Sequence, residues 1–222
     1  MKKIAIQSDY IKLWALIAMT ADHIDRVIAH TDWISQTIGR MAFPIFAYLV
    51  IFNFYTYRPF KKYVIRLGFF GCLTTLLLNY FKPGDMNILF TFLWAILYLG
   101  ISEFICQKTK SPLWQGYWMS FLFAVMLPLI LMAEYSLYGF LFMTALYVYF
   151  KTPSKLNYWA VLITAVAMNF YSVWAVIFSL LTTILLVSGI KIVKGSRLIK
   201  WWGFYFYYPL HQLLIYCIKD LL

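Results

Sequence analysis

From residue 10 onward the chain is a succession of apolar runs, separated from one another by a few polar or charged residues. A hydrocarbon core about 30 Å thick takes roughly 20 apolar residues per helical span, so a chain of 222 residues accommodates about eight or nine spans joined by short loops. Backbone amides and carbonyls in lipid must be satisfied internally, which leaves helices or a closed barrel; long apolar runs without strict alternation select helices. The expected fold class is therefore all-α, a polytopic transmembrane helix bundle of about nine helices. Only 12% of the residues are charged, about half the share of a soluble domain, and the whole of 1–222 reads as a single integral membrane domain.

Hydropathy places the helices at 10–29, 39–57, 62–81, 86–106, 112–132, 135–150, 156–170, 173–193 and 199–218. The sixth and seventh are short, and the polar turn KTPSK with Pro153 argues against one continuous helix there. Lys2 and Lys3 precede an apolar stretch, as in a secretory signal, but the polar IAIQSDY intervenes and the apolar run at 13–21 is short. A retained first helix is expected.

A net charge of +11 would suggest a nucleic-acid partner in a soluble chain. With the amino terminus in the cytoplasm, however, 15 of the 19 Lys and Arg residues fall on the inner side, leaving Arg26, Arg40, Lys82 and Lys219 outward. This bias follows the positive-inside rule and accounts for the basic charge without nucleic acid. The expected location is a membrane, crossed many times, with the amino terminus on the cytoplasmic side. Cys72, Cys106 and Cys217 each lie in an apolar segment with no paired spacing, so neither a zinc site nor a disulfide framework is expected. There is no internal repeat and no low-complexity tract.

Ionisable groups within spans are expensive and by default mark a site. The outer half of the first helix reads TADHIDRVIAH, which puts Asp22, His23, Asp25 and Arg26 inside the bilayer. Helical periodicity gathers Lys12, Thr20, His23, Arg26 and His30 on one stripe. Lys12 and His23 lie three turns apart, about 16 Å along the axis, which suits a long, thin substrate with a charged head and a reactive tip. Neighbours on a helix do not face each other, so Asp22 is expected to pair with Arg26 at i+4, and the partner of His23 is expected on another helix. The competing reading is a buried ion-pair network that fixes packing, with Arg26 free to snorkel to the outer interface.

His211 lies near the middle of the last helix, just after Pro209, which removes a backbone donor and is expected to bend the helix. It reads equally as a packing residue or as a group that supports a site. Arg58, Lys61, Lys62 and Arg66 lead into the third helix and mostly report orientation, but Arg66 enters the span and with Lys12 suits phosphate groups from the inner side. Among the outer polar residues, Arg40 stands out because Gly39 permits close approach and Pro44 sits early in the helix. Asn79, Asn87, Glu134, Tyr138 and Asn169 read as ordinary residues at helix ends. No GxSxG, HExxH, phosphate loop or glycine-rich nucleotide fingerprint is present.

Several segments, in order and over most of the chain, resemble the TraX family, named for the F-pilin acetylase of conjugative plasmids. They are DYIKLWALIAMTADHID, IGRMAFPIFAYLVIFNF, MNILFTFLWAI, EYSLYGFLFMTALYVYF and FYFYYPLHQLL. TraX proteins are in turn distantly similar to integral-membrane acyltransferases of the acyltransferase-three superfamily, in which a first-helix histidine follows a basic residue by eleven positions. Here Lys12 and His23 match that pair, with lysine for the usual arginine, and the inner basic motif is matched by Arg58, Pro59, Phe60 and Lys61.

The resemblance implies an integral-membrane acetyltransferase using acetyl-CoA as co-substrate, with no metal. The co-substrate's phosphates would be held by Lys12, Arg58, Lys61 and Arg66. His23 would be the general base and Arg26 or Arg40 the oxyanion stabiliser, with Asp22, Asp25 and His211 tuning the electrostatics. Its implied partners are a pilin amino terminus, or another protein or glycan acceptor, and membrane lipid. The competing functions are a non-enzymatic pilus assembly or stability factor and a small transporter, although the paired broken helices and repeated halves common in transporters are lacking.

Overall fold

The computed structural model describes residues 4–57, 59–81, 83, 86–193 and 201–222. Nine α-helices of 12 residues or more, and one of a single turn, run through them. In chain order they are α1 (Ser8–Ile24), the short α2 (Trp33–Gln36), α3 (Ala42–Tyr57), α4 (Phe60–Leu78), α5 (Ile88–Lys108), α6 (Pro112–Met132), α7 (Ser136–Lys151), α8 (Lys155–Ala167), α9 (Val173–Ile184) and α10 (Trp201–Leu221). The architecture is the all-α bundle expected from the apolar runs. Trp33–Tyr57, Ile88–Lys108 and Pro112–Met132 are long and apolar enough to cross a membrane. The other helices are shorter, more charged, or richer in Trp and Tyr.

Three local features depart from the expected pattern. The first helix ends in a π turn, Asp25–Ala29, closed by His30 in the left-handed region at φ 53°, whose amide donates to the Asp25 carbonyl at 2.6 Å. The eighth helix likewise ends early: α9 passes through a π turn, Leu185–Gly189, and residues 190–193 are a strand rather than helix. That strand, β2 (Ile190–Val193), pairs in parallel with β1 (Ile4–Gln7), in the register Ile4 to Ile190 through Gln7 to Val193. Both segments, IAIQ and IKIV, are rich in β-branched residues, which suit a pleated backbone.

The chain divides into two compact units, one of Met1–Leu49 with Pro153–Leu222 and the other of Val50–Thr152. In the second unit α5 packs against α4, α6 and α7. Asn87 joins two of these helices: its side chain accepts from the Leu89 amide at 3.0 Å, capping α5, and donates to the Gly71 carbonyl at 2.9 Å and to Thr75 Oγ1 at 3.1 Å on α4. In the same unit Glu103 of α5 accepts from the Tyr147 hydroxyl and lies 3.7 Å from Lys151 Nζ.

In the first unit α1 has two working faces. Ile11, Ala15, Ala18, Asp22 and Asp25 recur at three- and four-residue steps and are all buried. The adjacent stripe of Lys12, Thr20 and His23 faces α10: Lys12 Nζ lies over the Phe204 ring at 5.2 Å, Thr20 bonds Tyr207, and His23 bonds His211. Residue numbers rise together along both helices, so α1 and α10 run parallel, each led in by a strand of the parallel pair.

Replacing Asn87 by Ala removes a helix cap and two bonds to α4. We expect it to lower stability by about 1–2 kcal/mol, measurable as a reduced unfolding midpoint of the purified protein in detergent.

Candidate functional site

The site is built where the C-terminal part of α1 meets α10 and the segment between α1 and α3. Its first grouping is a pair of imidazoles. His23 Nδ1 lies 2.8 Å from His211 Nε2, with ring centroids 5.0 Å apart and planes tilted by 34°. His211 Nδ1 lies 2.7 Å from the backbone carbonyl oxygen of Tyr207, one helical turn earlier, and the Tyr207 ring stacks on the His211 ring at 5.0 Å and 11°. Thr20 donates its single hydroxyl hydrogen to the Leu16 carbonyl at 2.8 Å. The 2.6 Å contact between Thr20 Oγ1 and Tyr207 Oη is therefore a bond that Tyr207 donates. The partner of His23 thus comes from another helix, 188 positions away.

The second grouping is ionic. Asp22 Oδ1 lies 3.1 Å from Arg26 Nη2, the i+4 pair expected from the spacing, and 3.9 Å from Arg40 Nη2. Arg40 also donates from Nε to the Ser35 carbonyl at 3.1 Å, and its guanidinium lies 5.4 Å from the centroid of the Tyr171 ring. Burial holds the Tyr171 phenol above its ordinary range, against the opposing charges of Arg40 and Arg26, so the ring that Arg40 meets is neutral. One carboxylate between two guanidiniums leaves the cluster net positive.

Gly39 makes this geometry possible. A Cβ at that position would run into the Asp22 side chain, 2.7 Å from its Cβ and 2.9 Å from its Cγ, and closer still to Oδ1. The turn of 3-10 helix at Ile38–Met41 can therefore press against α1 and bring Arg40 to Asp22 only without a side chain at 39.

The remaining sequence candidates are placed elsewhere. Asp25 is 1% exposed and serves the connecting segment: it accepts from the Thr31 amide at 3.2 Å, the Thr31 hydroxyl and the Ser35 amide at 2.8 Å. The polar stripe facing α10 ends at His23. A π turn carries more residues per turn than an α-helix, so the phase shifts beyond Ile24; Arg26 is turned to Asp22, and His30 is exposed. Lys12 pairs with Asp9 at 3.4 Å. Lys61 is exposed and Arg66 partly buried on α4, in the second unit, and Arg58 lies outside the described residues.

Asp9 and Tyr207 had not been singled out from the sequence, yet both were detectable by spacing: Asp9 precedes Lys12 by three residues and Tyr207 precedes His211 by four. Tyr171 carried no such signal, because it is distant in sequence from the arginine it meets. Among the described residues no group of three His, Cys, Asp or Glu side chains is placed to hold a metal ion.

The Gly39→Ala substitution is expected to cost about 1–3 kcal/mol by overpacking against Asp22. In a double-mutant cycle with Asp22→Ala, read from unfolding midpoints in detergent, the pair should be less destabilised than the sum of the two single variants.

The geometry can be set beside known proteins. No solved structure matches the chain. A segment of 80 residues is 34% identical to an uncharacterized protein of Rickettsia prowazekii (strain Madrid E), covering 36% of this chain. The match spans about a third of that relative's length (32%). The family comparison is far more extensive, running from just before α1 into the last turn of α10 and so taking in His23, His211, Arg26, Arg40 and Asp22. Over residues 7–219 the chain matches the TraX protein family, and it belongs to that family.

Proposed function

We propose that this protein is an integral-membrane acetyltransferase, crossing the bacterial cytoplasmic membrane many times, that moves an acetyl group from cytoplasmic acetyl-CoA to an amine or hydroxyl presented at the outer side. The observation that carries the reading is the imidazole pair: His23 of the first helix bonded to His211 of the last at 2.8 Å, beside the Asp22, Arg26 and Arg40 cluster. An imidazole is the side chain whose ordinary pKa best suits proton transfer near neutral pH. A histidine with a second imidazole as its partner is a better candidate for that role than one held only by packing.

The residues divide the work as follows. Lys12 supplies positive charge for the phosphates of the co-substrate. His23 removes a proton from the acceptor as its nitrogen or oxygen attacks the thioester carbonyl. The bond from acceptor to acyl carbon forms, the carbon–sulfur bond breaks, and the departing thiolate takes up the proton. Arg26 or Arg40 faces the negative charge that develops on the carbonyl oxygen. TraX family membership supports a pilin amino terminus as the acceptor, with another protein or a glycan hydroxyl as the alternatives.

The test is transfer of radiolabel from acetyl-CoA to candidate pilin by purified protein in lipid. His23→Ala should lower the rate by about 10²- to 10⁴-fold, with Arg40→Ala also impaired. Undiminished transfer by His23→Ala would remove the assignment of the base. A complete lack of transfer from any thioester would favour a non-enzymatic role in pilus assembly.

A further inference from the structure

The hydrogen bonds around the two histidines have a direction, and it can be read from one end. A backbone carbonyl only accepts. His211 Nδ1, 2.7 Å from the Tyr207 carbonyl oxygen, must therefore carry a hydrogen. In a neutral imidazole the other nitrogen is then the acceptor, so His211 Nε2 presents a lone pair across the 2.8 Å contact to His23 Nδ1. His23 must donate there, and its own lone pair falls on Nε2.

We propose that His211 is a positioning residue which, anchored by the Tyr207 carbonyl, holds His23 in the tautomer protonated at Nδ1 and so makes Nε2 the nitrogen that accepts a proton. The sequence of bonds runs from His23 Nδ1–H to His211 Nε2, and from His211 Nδ1–H to the Tyr207 carbonyl. Tyr207 is itself fixed by three contacts: its ring stacks on His211, its carbonyl accepts the hydrogen bond from His211 Nδ1–H, and its hydroxyl donates to Thr20 on α1. The last contact ties the anchor back to the helix that carries His23, so the two imidazoles are held in register from both sides.

The arrangement also gives the abstracted proton a second place to reside. When Nε2 of His23 takes a proton, the hydrogen already on Nδ1 can pass to His211 Nε2. His23 is then neutral and protonated at Nε2, while His211 is cationic with both nitrogens protonated, its Nδ1–H still on the Tyr207 carbonyl. One proton has entered and none has left, so the positive charge is shared by two rings. The same directionality implies a mode of failure. If the acceptor at position 211 is lost, nothing requires the His23 hydrogen to stay on Nδ1, and the ring can turn its lone pair away from the reacting side.

The role of His211 in transfer rests on reading His23 as the general base; the tautomer does not. The experiment is nitrogen NMR of histidine-labelled protein in lipid, with His30→Gln used to reduce the spectrum to two rings, alongside the label-transfer assay. At a pH where both rings are neutral, both His23 and His211 are expected in the Nδ1–H form.

His211→Phe keeps the ring stack but offers no acceptor, and is expected to move His23 toward the Nε2–H form and to lower kcat by tenfold or more with little change in KM. His211→Gln, which can accept with its carbonyl and donate with its amide, should restore the His23 tautomer and part of the rate. A wild-type spectrum with His23 protonated at Nε2 would overturn the proposal whatever the activity. A His23 tautomer unchanged in His211→Phe would do the same. If instead the expected tautomers are found and His23→Ala still transfers label, the positioning stands and the general-base reading is lost.

Discussion

Helix α1 and the π turn that ends it bury three aspartates, Asp9, Asp22 and Asp25, and turn a lysine and a histidine onto the neighbouring helix, in a chain that is 64% hydrophobic. An unpaired charge in such surroundings costs several kcal/mol, so the arrangement is tolerable only because each group meets a partner. Asp22 meets Arg26 and Arg40, Asp25 meets Thr31 and Ser35, Lys12 meets Asp9, and His23 meets His211. The path of the chain after α1 follows from this need. The connecting segment folds back with left-handed residues at His30 and Asp32, giving Asp25 its donors and bringing Gly39 close enough for Arg40 to reach Asp22.

The second constraint is that the first and last helices lie side by side and run the same way. The parallel strands β1 and β2 repeat the relation just ahead of each helix. Parallel packing brings positions 12, 20 and 23 of α1 to 204, 207 and 211 of α10 at similar depths, with a cation over a ring, then a hydroxyl pair, then an imidazole pair. The seam runs from a lysine at one end to two imidazoles at the other, and Arg26 and Arg40 gather beside Asp22 near the imidazole end.

Much of this was readable in advance, and the reasons can be given residue by residue. Helix positions followed from runs of apolar residues, and 112–132 coincides with α6 to the residue. The Asp22–Arg26 pair followed from four-residue spacing, and Asn87, read as a residue at a helix end, caps α5. What escaped was of two kinds. The π turns at Asp25–Ala29 and Leu185–Gly189 shift helical phase without any distinctive composition, so the stripe projected through Arg26 and His30 stopped at His23 instead. The strand at Ile190–Val193 was absorbed into a helix because its apolar residues also continue the preceding run, and only its partner at Ile4–Gln7 makes it a strand.

By itself the sequence determined that this chain forms a bundle of apolar helices, where most of them begin and end, that its first helix carries an unusual load of ionisable groups, and which near neighbours on that helix pair. These are local properties, set by hydropathy and by the period of the α-helix. Only the tertiary structure decided that His23 faces His211, that Tyr207 anchors the pair, that Asp25 serves the connecting segment and that Arg40 comes to Asp22 across a glycine. Those contacts join positions up to 188 residues apart, and their hydrogen bonds have direction as well as distance. No pattern along a single helix contains either, because both arise only when two helices are packed at a particular rotation and depth.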